Sequence, residues 1–312
     1  MNKRKRPLDN QTVAVVSHDA GGAEIVSSWV VRNKVKCVFA LDGPAVGIFE
    51  KKIGKCKSIE LNQAVHSSDW VLCSTGRTRL ERDAITMAKA AGKRVVAYLD
   101  HWGNYKQRFL DNGRCVLPDE IWVGDTYARD IATETFPGLT IRLYENPYLL
   151  ELKERIDSLK DRCMNVQKDN QIIYVCEPLK EHALKTYGDE RYRGYTEDDA
   201  FRYFFRYVHL LGIEQPRVRI RLHPSERIGK YDWVVADYEG DVSISREPDL
   251  LSDIMESTVV VGCASMAMVV GLLADKRVIS VIPPGGKVCS LPYKEIEHLQ
   301  LLVSMNAVRQ YD

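Results

Sequence analysis

Apolar positions in this chain fall into short unbroken runs separated by longer stretches of helical spacing. Residues 12–16 read Thr-Val-Ala-Val-Val, with no polar alternation, as in a strand buried on both faces. A glycine-bearing turn follows, and residues 25–32 then carry apolar positions at a helical period. The same rhythm predicts strands at 36–40, 70–73, 94–99 and 120–123, with helices at 79–91 and 127–135. Alternating β and α segments predict a parallel sheet covered by helices. At Asn146-Pro147-Tyr148 the rhythm lapses into a charged helical segment, 149–166. A second series begins at 171–176, with a helix at 197–211 and strands at 218–222, 242–245, 258–261 and 277–281. The pattern predicts an α/β protein of two Rossmann-like β/α/β domains, 1–150 and 171–312, joined by a linker helix at 151–170.

A length of 312 residues suits two domains at roughly 100–200 residues each. Lys and Arg total 44 against 43 Asp and Glu, so no global positive field points to nucleic acid as a partner. No apolar stretch reaches the length of a membrane span. Met1-Asn2-Lys3-Arg4-Lys5-Arg6-Pro7 is basic but has no apolar segment behind it, so it reads as a tail rather than a signal peptide. Its charge suits peripheral contact with an anionic membrane, and the expected location is the cytoplasm or the inner face of the membrane. The eight cysteines form no C-x-x-C pair and have no histidine at ligand spacing. They read as reduced thiols, with no metal or cofactor expected.

Ligands on parallel sheets gather at the carboxyl ends of strands, which directs attention to the polar residues there. In Arg219-Ile220-Arg221-Leu222-His223-Pro224-Ser225-Glu226 a strand empties into His-Pro. Proline cannot continue the ladder and holds the preceding residue extended, so His223 is presented at the strand exit, able to donate to an anion. Arg219 and Arg221 share one strand face; Arg221 is a candidate for the same anion. Downstream, Val261-Gly262-Cys263-Ala264-Ser265 is a strand, a small-residue turn and a helix start. The backbone at Gly262 and Ala264 and the Ser265 hydroxyl suit a phosphate, although tight packing and helix capping account for the same residues. Glu177, after the first strand of this half, could serve acid–base chemistry.

At the first strand end of the chain stand His18 and Asp19, candidates to remove a proton from an acceptor hydroxyl, with Gly21 and Gly22 allowing close approach. Capping of the following helix is the structural alternative for Asp19. Asp100 and His101 sit at another strand end and either orient an acceptor or start a helix with Trp102 in the core. Glu197-Asp198-Asp199 precedes an amphipathic helix and is explained by charge at its N-terminus rather than by metal.

On His223-Pro224 and Ser265, the sequence resembles GT-B type glycosyltransferases, two Rossmann-like domains facing a cleft. More narrowly it is similar to bacterial polysialyltransferases and sialyltransferases of capsule and lipooligosaccharide synthesis, and to CDP-glycerol glycerophosphotransferases. The resemblance covers residues 172–282. It implies an inverting, metal-independent transfer of a sugar from a nucleotide donor, CMP favoured, to a carbohydrate or lipid-linked glycan hydroxyl in surface polysaccharide synthesis. His223, Pro224, Ser225, Arg221, Gly262, Ala264, Ser265 and Glu177 would line the donor site, and an acidic residue of the first domain, here Asp19 with His18 as runner-up, would be the base. Two other readings keep the fold: a sugar-nucleotide epimerase or hydrolase, and a non-catalytic nucleotide-sugar-binding protein.

Overall fold

The computed structural model describes residues 11–76, 78–111, 113–162, 170–247 and 249–309. The basic stretch at 1–7, Arg77, Cys163 and the end of the predicted linker helix, 163–169, lie outside the described residues. The chain forms two compact units, Met1–Glu151 and Leu152–Asp312.

In the first unit, six parallel strands are ordered β2-β1-β3-β4-β7-β8. They are β1 (Thr12–Ser17), β2 (Lys36–Leu41), β3 (Trp70–Cys73), β4 (Val95–Leu99), β7 (Glu120–Val123) and β8 (Thr140–Leu143). A small antiparallel hairpin, β5 (Leu110–Asp111) with β6 (Arg114–Cys115), stands apart from the sheet. The connecting helices include α1 (Ala20–Asn33), α2 (Pro44–Ile53), α3 (Leu61–His66), α4 (Leu80–Ala90), α5 (Tyr105–Arg108) and α6 (Thr126–Thr135). The central strands β3 and β4 are buried at every residue, which is why they read as unbroken apolar runs. Trp29 of α1 packs edge-on to Trp70 of β3 at 5.8 Å and beside Trp122 of β7 at 5.9 Å, filling the gap between helix and sheet.

Helix α7 (Pro147–Arg162) follows. In the second unit the parallel order is β11-β10-β9-β12-β13-β14. These strands are β9 (Gln171–Val175), β10 (Arg217–Arg221), β11 (Asp241–Ile244), β12 (Val259–Gly262), β13 (Arg277–Ser280) and β14 (Glu297–His298). Between them run α8 (Leu179–Tyr187), α9 (Glu197–Tyr207), α10 (Asp232–Asp237), α11 (Leu250–Glu256), α12 (Met266–Leu273) and finally α13 (Leu299–Arg309). Tyr174 of β9 stacks on Phe201 of α9 at 4.0 Å, anchoring that helix on the sheet. The acidic triplet forms the first turn of α9 rather than preceding it, and Thr196 at the N-cap closes a capping box with Asp199. Among the described residues, no helix is long and apolar enough to cross a membrane.

Each sheet has one point where successive connections leave in opposite directions. It lies between β1 and β3 in the first unit and between β9 and β12 in the second. Such switch points leave a crevice at the carboxyl ends of the strands.

Candidate functional site

In the second unit the register pairs Val175 with Arg221 and Tyr174 with Val261. Glu177, His223 and the 263–265 turn therefore emerge at one end of three adjacent strands. The turn is already occupied by a side chain. The Ala264 N–H donates to Glu177 Oε1 at 2.7 Å, and the Cys263 N–H donates to the same carboxylate. A phosphate would have to displace that carboxylate to reach the Ala264 N–H. Burial pushes the Glu177 carboxyl above its ordinary value, and these N–H groups together with the charge of Arg193 offset only part of the rise. Gly262 is a packing position, because a Cβ there would come within 2.8 Å of the Val175 side chain. Ser265 is the N-cap of α12, its Oγ accepting from the Ala267 N–H at 3.2 Å.

The His223 turn is fixed from several sides. The Glu226 N–H donates to the His223 carbonyl at 2.9 Å, closing a four-residue turn with Pro224 at its second position. The Ser225 N–H lies 3.2 Å from His223 Nδ1, and Ser225 Oγ lies 2.8 Å from it. A backbone N–H can only donate, so Nδ1 is the accepting nitrogen and the neutral ring carries its proton on Nε2. Loss of water around the ring lowers its pKa, with Glu226 opposing and Lys230 reinforcing that shift, so the neutral form dominates at pH 7. The strand exit thus presents an Nε2–H donor.

Arg221 is placed differently from its expected role. Its Nη1 lies 2.6 Å from Asp253 Oδ2 and 2.9 Å from the Glu247 carbonyl, while Arg219 bonds to Asp253 Oδ1 at 3.0 Å and Glu256 at 2.9 Å. Asp253 is fully buried, so the two arginines neutralise a carboxylate inside the fold. Arg193, which stands in no recognisable motif, supplies a cation whose charge acts on Glu177. It lies in a polar segment without periodicity, seated where Gly194 (φ +82) approaches the carbonyl of Gly285 too closely for any side chain.

In the first unit, His18 and Asp19 leave β1 together at the other switch point. His18 Nδ1 is 2.7 Å from Asp19 Oδ1. An ionised carboxylate only accepts, so Nδ1 carries the proton and Nε2 holds the lone pair. Asp19 occupies the N-cap position of α1 but makes no side-chain cap bond. A Cβ on Gly43 (φ +54) would lie 2.6 Å from His18 Nε2, so only glycine lets the backbone pack this closely against that edge of the ring. Gly21 and Gly22 admit protein rather than ligand: Cβ atoms there would lie 2.6 Å from Asp100 Oδ2 and 2.5 Å from Ser74 Cβ. Asp100 pairs with Arg108, which also donates to Thr75 Oγ1 at 2.8 Å. His101 packs beside Trp102 at 5.5 Å, and Trp102 is buried with its indole donating to Asp125 at 2.8 Å. Glu81, almost fully buried, accepts from the His18 N–H at 3.0 Å, Ser74 Oγ at 3.1 Å and Thr78 Oγ1 at 3.1 Å. Burial raises its carboxyl despite these donors.

No protein-family model matches the chain, and no curated protein matches its sequence. Solved structures do match its fold. MnaA from S. aureus, in a co-structure with UDP, superposes with a TM-score of 0.62 at 10% identity, over 97% of this chain and 88% of that one. UDP-GlcNAc 2-epimerase from Neisseria meningitidis, bound to UDP-GlcNAc, gives 0.59 at 12% identity, over 96% and 92%. MurG from Acinetobacter baumannii gives 0.50 at 10% identity, over 96% and 91%. The fold is therefore the α/β, two-sheet architecture of GT-B type proteins.

Proposed function

We propose that this protein is a nucleotide-sugar-dependent glycosyltransferase whose second unit holds a pyrimidine nucleotide donor. The observation that carries the reading is the His223 turn, a neutral imidazole with Nδ1 committed to Ser225 and Nε2–H presented where ligands gather on a parallel sheet. Pyrimidine is what the donors have in common: CMP from the sequence resemblance, and UDP or UDP-GlcNAc bound in the fold relatives. The acceptor is a carbohydrate or lipid-linked glycan hydroxyl of a bacterial surface polysaccharide. Its O–H proton passes to His18 Nε2, which Asp19 orients, and its oxygen attacks the anomeric carbon of the donor sugar. The bond from that carbon to the phosphate oxygen breaks, and its electron pair stays on the phosphate. His223 Nε2–H, the Arg193 cation and the N-terminus of α12 stabilise that charge.

Titration calorimetry with CMP, UDP and GDP tests this directly. Wild type should bind a pyrimidine nucleotide, and His223→Ala should bind it roughly ten- to a hundred-fold more weakly, the worth of one hydrogen bond to a charged group. Equal binding by the variant would overturn the reading. A second reading rests on Glu177, a carboxyl at the strand exit that burial raises above its ordinary value, the direction that suits a group donating or accepting a proton. In that case the protein is a sugar-nucleotide epimerase or hydrolase, and epimerised or hydrolysed sugar would form from UDP-GlcNAc with no acceptor added.

A further inference from the structure

His223 owes its placement to a group outside the strand. The Glu226 side chain is 1% exposed and accepts the His223 backbone N–H on Oε2 at 2.8 Å. Its other oxygen accepts from Lys230 Nζ at 2.9 Å and from the Tyr231 hydroxyl at 2.5 Å. Lys230 is itself 9% exposed, and its ammonium also lies 2.6 Å from Glu197 and 2.9 Å from Glu181. Glu197 opens α9, and its second oxygen takes the Lys180 N–H at 2.9 Å; Glu181 lies on α8. One buried ammonium therefore ties the His-Pro turn to two helices. Burial alone would lower the Lys230 pKa, but its carboxylate partners more than offset this, and the group stays charged.

Ionic clusters of this kind contribute little net stability compared with apolar packing of equal volume. What this one does supply is geometry. The His223 N–H and carbonyl are both bonded to Glu226, one to its side chain and one to its backbone N–H, so the turn cannot rotate about His223 without breaking one of them. The bond from Ser225 N–H to Nδ1, which sets the imidazole tautomer, depends on that same turn.

We propose that Glu226, clamped by Lys230 and Tyr231, is the positioning residue for His223, holding its imidazole in the Nε2–H form aimed at the donor phosphate. This rests on the nucleotide-binding reading above, and two measurements separate the failure of one from the failure of the other. The first is a double-mutant cycle on nucleotide affinity with His223→Ala, Glu226→Ala and the pair. A residue acting only through His223 gives a Glu226→Ala loss of roughly ten-fold that vanishes when His223 is already alanine. Losses that multiply in the double variant, or an unchanged Kd in Glu226→Ala, overturn the proposal. The second measurement needs no ligand. The ¹⁵N resonances of the His223 ring should report a single Nε2–H tautomer in wild type and a mixture in Glu226→Ala; an unchanged tautomer overturns the proposal even if no nucleotide binds. If Glu226→Ala does not fold, Glu226→Gln goes through the same two measurements. The smaller loss and partial tautomer mixing expected of a retained amide oxygen support the proposal, and wild-type behaviour in both opposes it. Wild-type protein that binds no nucleotide, or His223→Ala that binds as well as wild type, sinks the functional reading instead.

Discussion

At the first strand exit a single contact changes which atom the proposed function assigns as the base. Asp19 alone would be the base that the sequence suggests. Paired at 2.7 Å with His18 Nδ1, it becomes, on the function proposed above, the group that orients an imidazole whose Nε2 takes the proton. His18→Ala should therefore lower turnover by roughly 100-fold or more, the scale of a lost general base, with nucleotide Kd unchanged. Asp19→Asn keeps the shape and should fall less far. Steady-state rates and calorimetry on the two variants decide it. If Asp19→Asn is the dead variant, the carboxylate is the base, and if both stay active the acceptor is activated elsewhere. The His-Pro exit was legible because proline restricts its own neighbourhood. Glu226, three residues on, was equally visible as a letter, but its role depends on Lys230 and Tyr231 burying it. Nothing in spacing announces that.

Helices and strands bring together groups that the sequence keeps far apart. Arg221 read as a phosphate ligand because it shares a strand with His223; α11 then delivers Asp253 beneath it. Asp253→Ala leaves two arginines without their buried counter-charge, and should cost about 3–5 kcal/mol by denaturant titration with nucleotide Kd preserved in the folded protein. A lost affinity at unchanged stability would return Arg221 to the donor site. Glu81, arriving on α4 to hold the His18 N–H, carries a pH signature. Burial raises its native carboxyl above the ordinary 4.5, so the native state favours the protonated form. Its stabilising contribution is complete below the ordinary value and is lost as pH rises through the native one. Glu81→Gln keeps the acceptor and removes the titration. Urea melts at pH 4 and pH 7 should show the variant gaining on wild type at the higher pH; a constant difference would mean that Glu81 titrates alike in the folded and the unfolded chain. The central strands were readable from burial alone, whereas edge strand β8 exposes three of its four residues and carries no apolar run. Strand β14 spans only two residues.

Across the whole molecule, the sequence showed two β-α series but not their strand orders. Order depends on which side of the sheet each crossover takes, a choice made by contacts between distant segments. The orders place one switch point beside His18 and the other beside Glu177; on the function proposed above, proton removal falls to the first unit and charge stabilisation on the leaving phosphate to the second. That division predicts where a bound nucleotide is felt. A ligand that binds only the folded state stabilises it by mass action, about 2.7 kcal/mol at a hundred times Kd, and amides in direct contact gain most. Hydrogen exchange of the full chain with saturating UDP or CMP should slow at residues 222–226 and at the 263–266 turn. In the first unit, residues 18–22 and 74–76 should exchange as without ligand. The Ala264 amide is the discriminating one. If phosphate displaces Glu177, its protection changes with the ligand; if Glu177 keeps the turn, protection grows at His223 and Ser225 while Ala264 stays as it was. Slowing confined to the first unit would reverse the assignment of donor and acceptor halves.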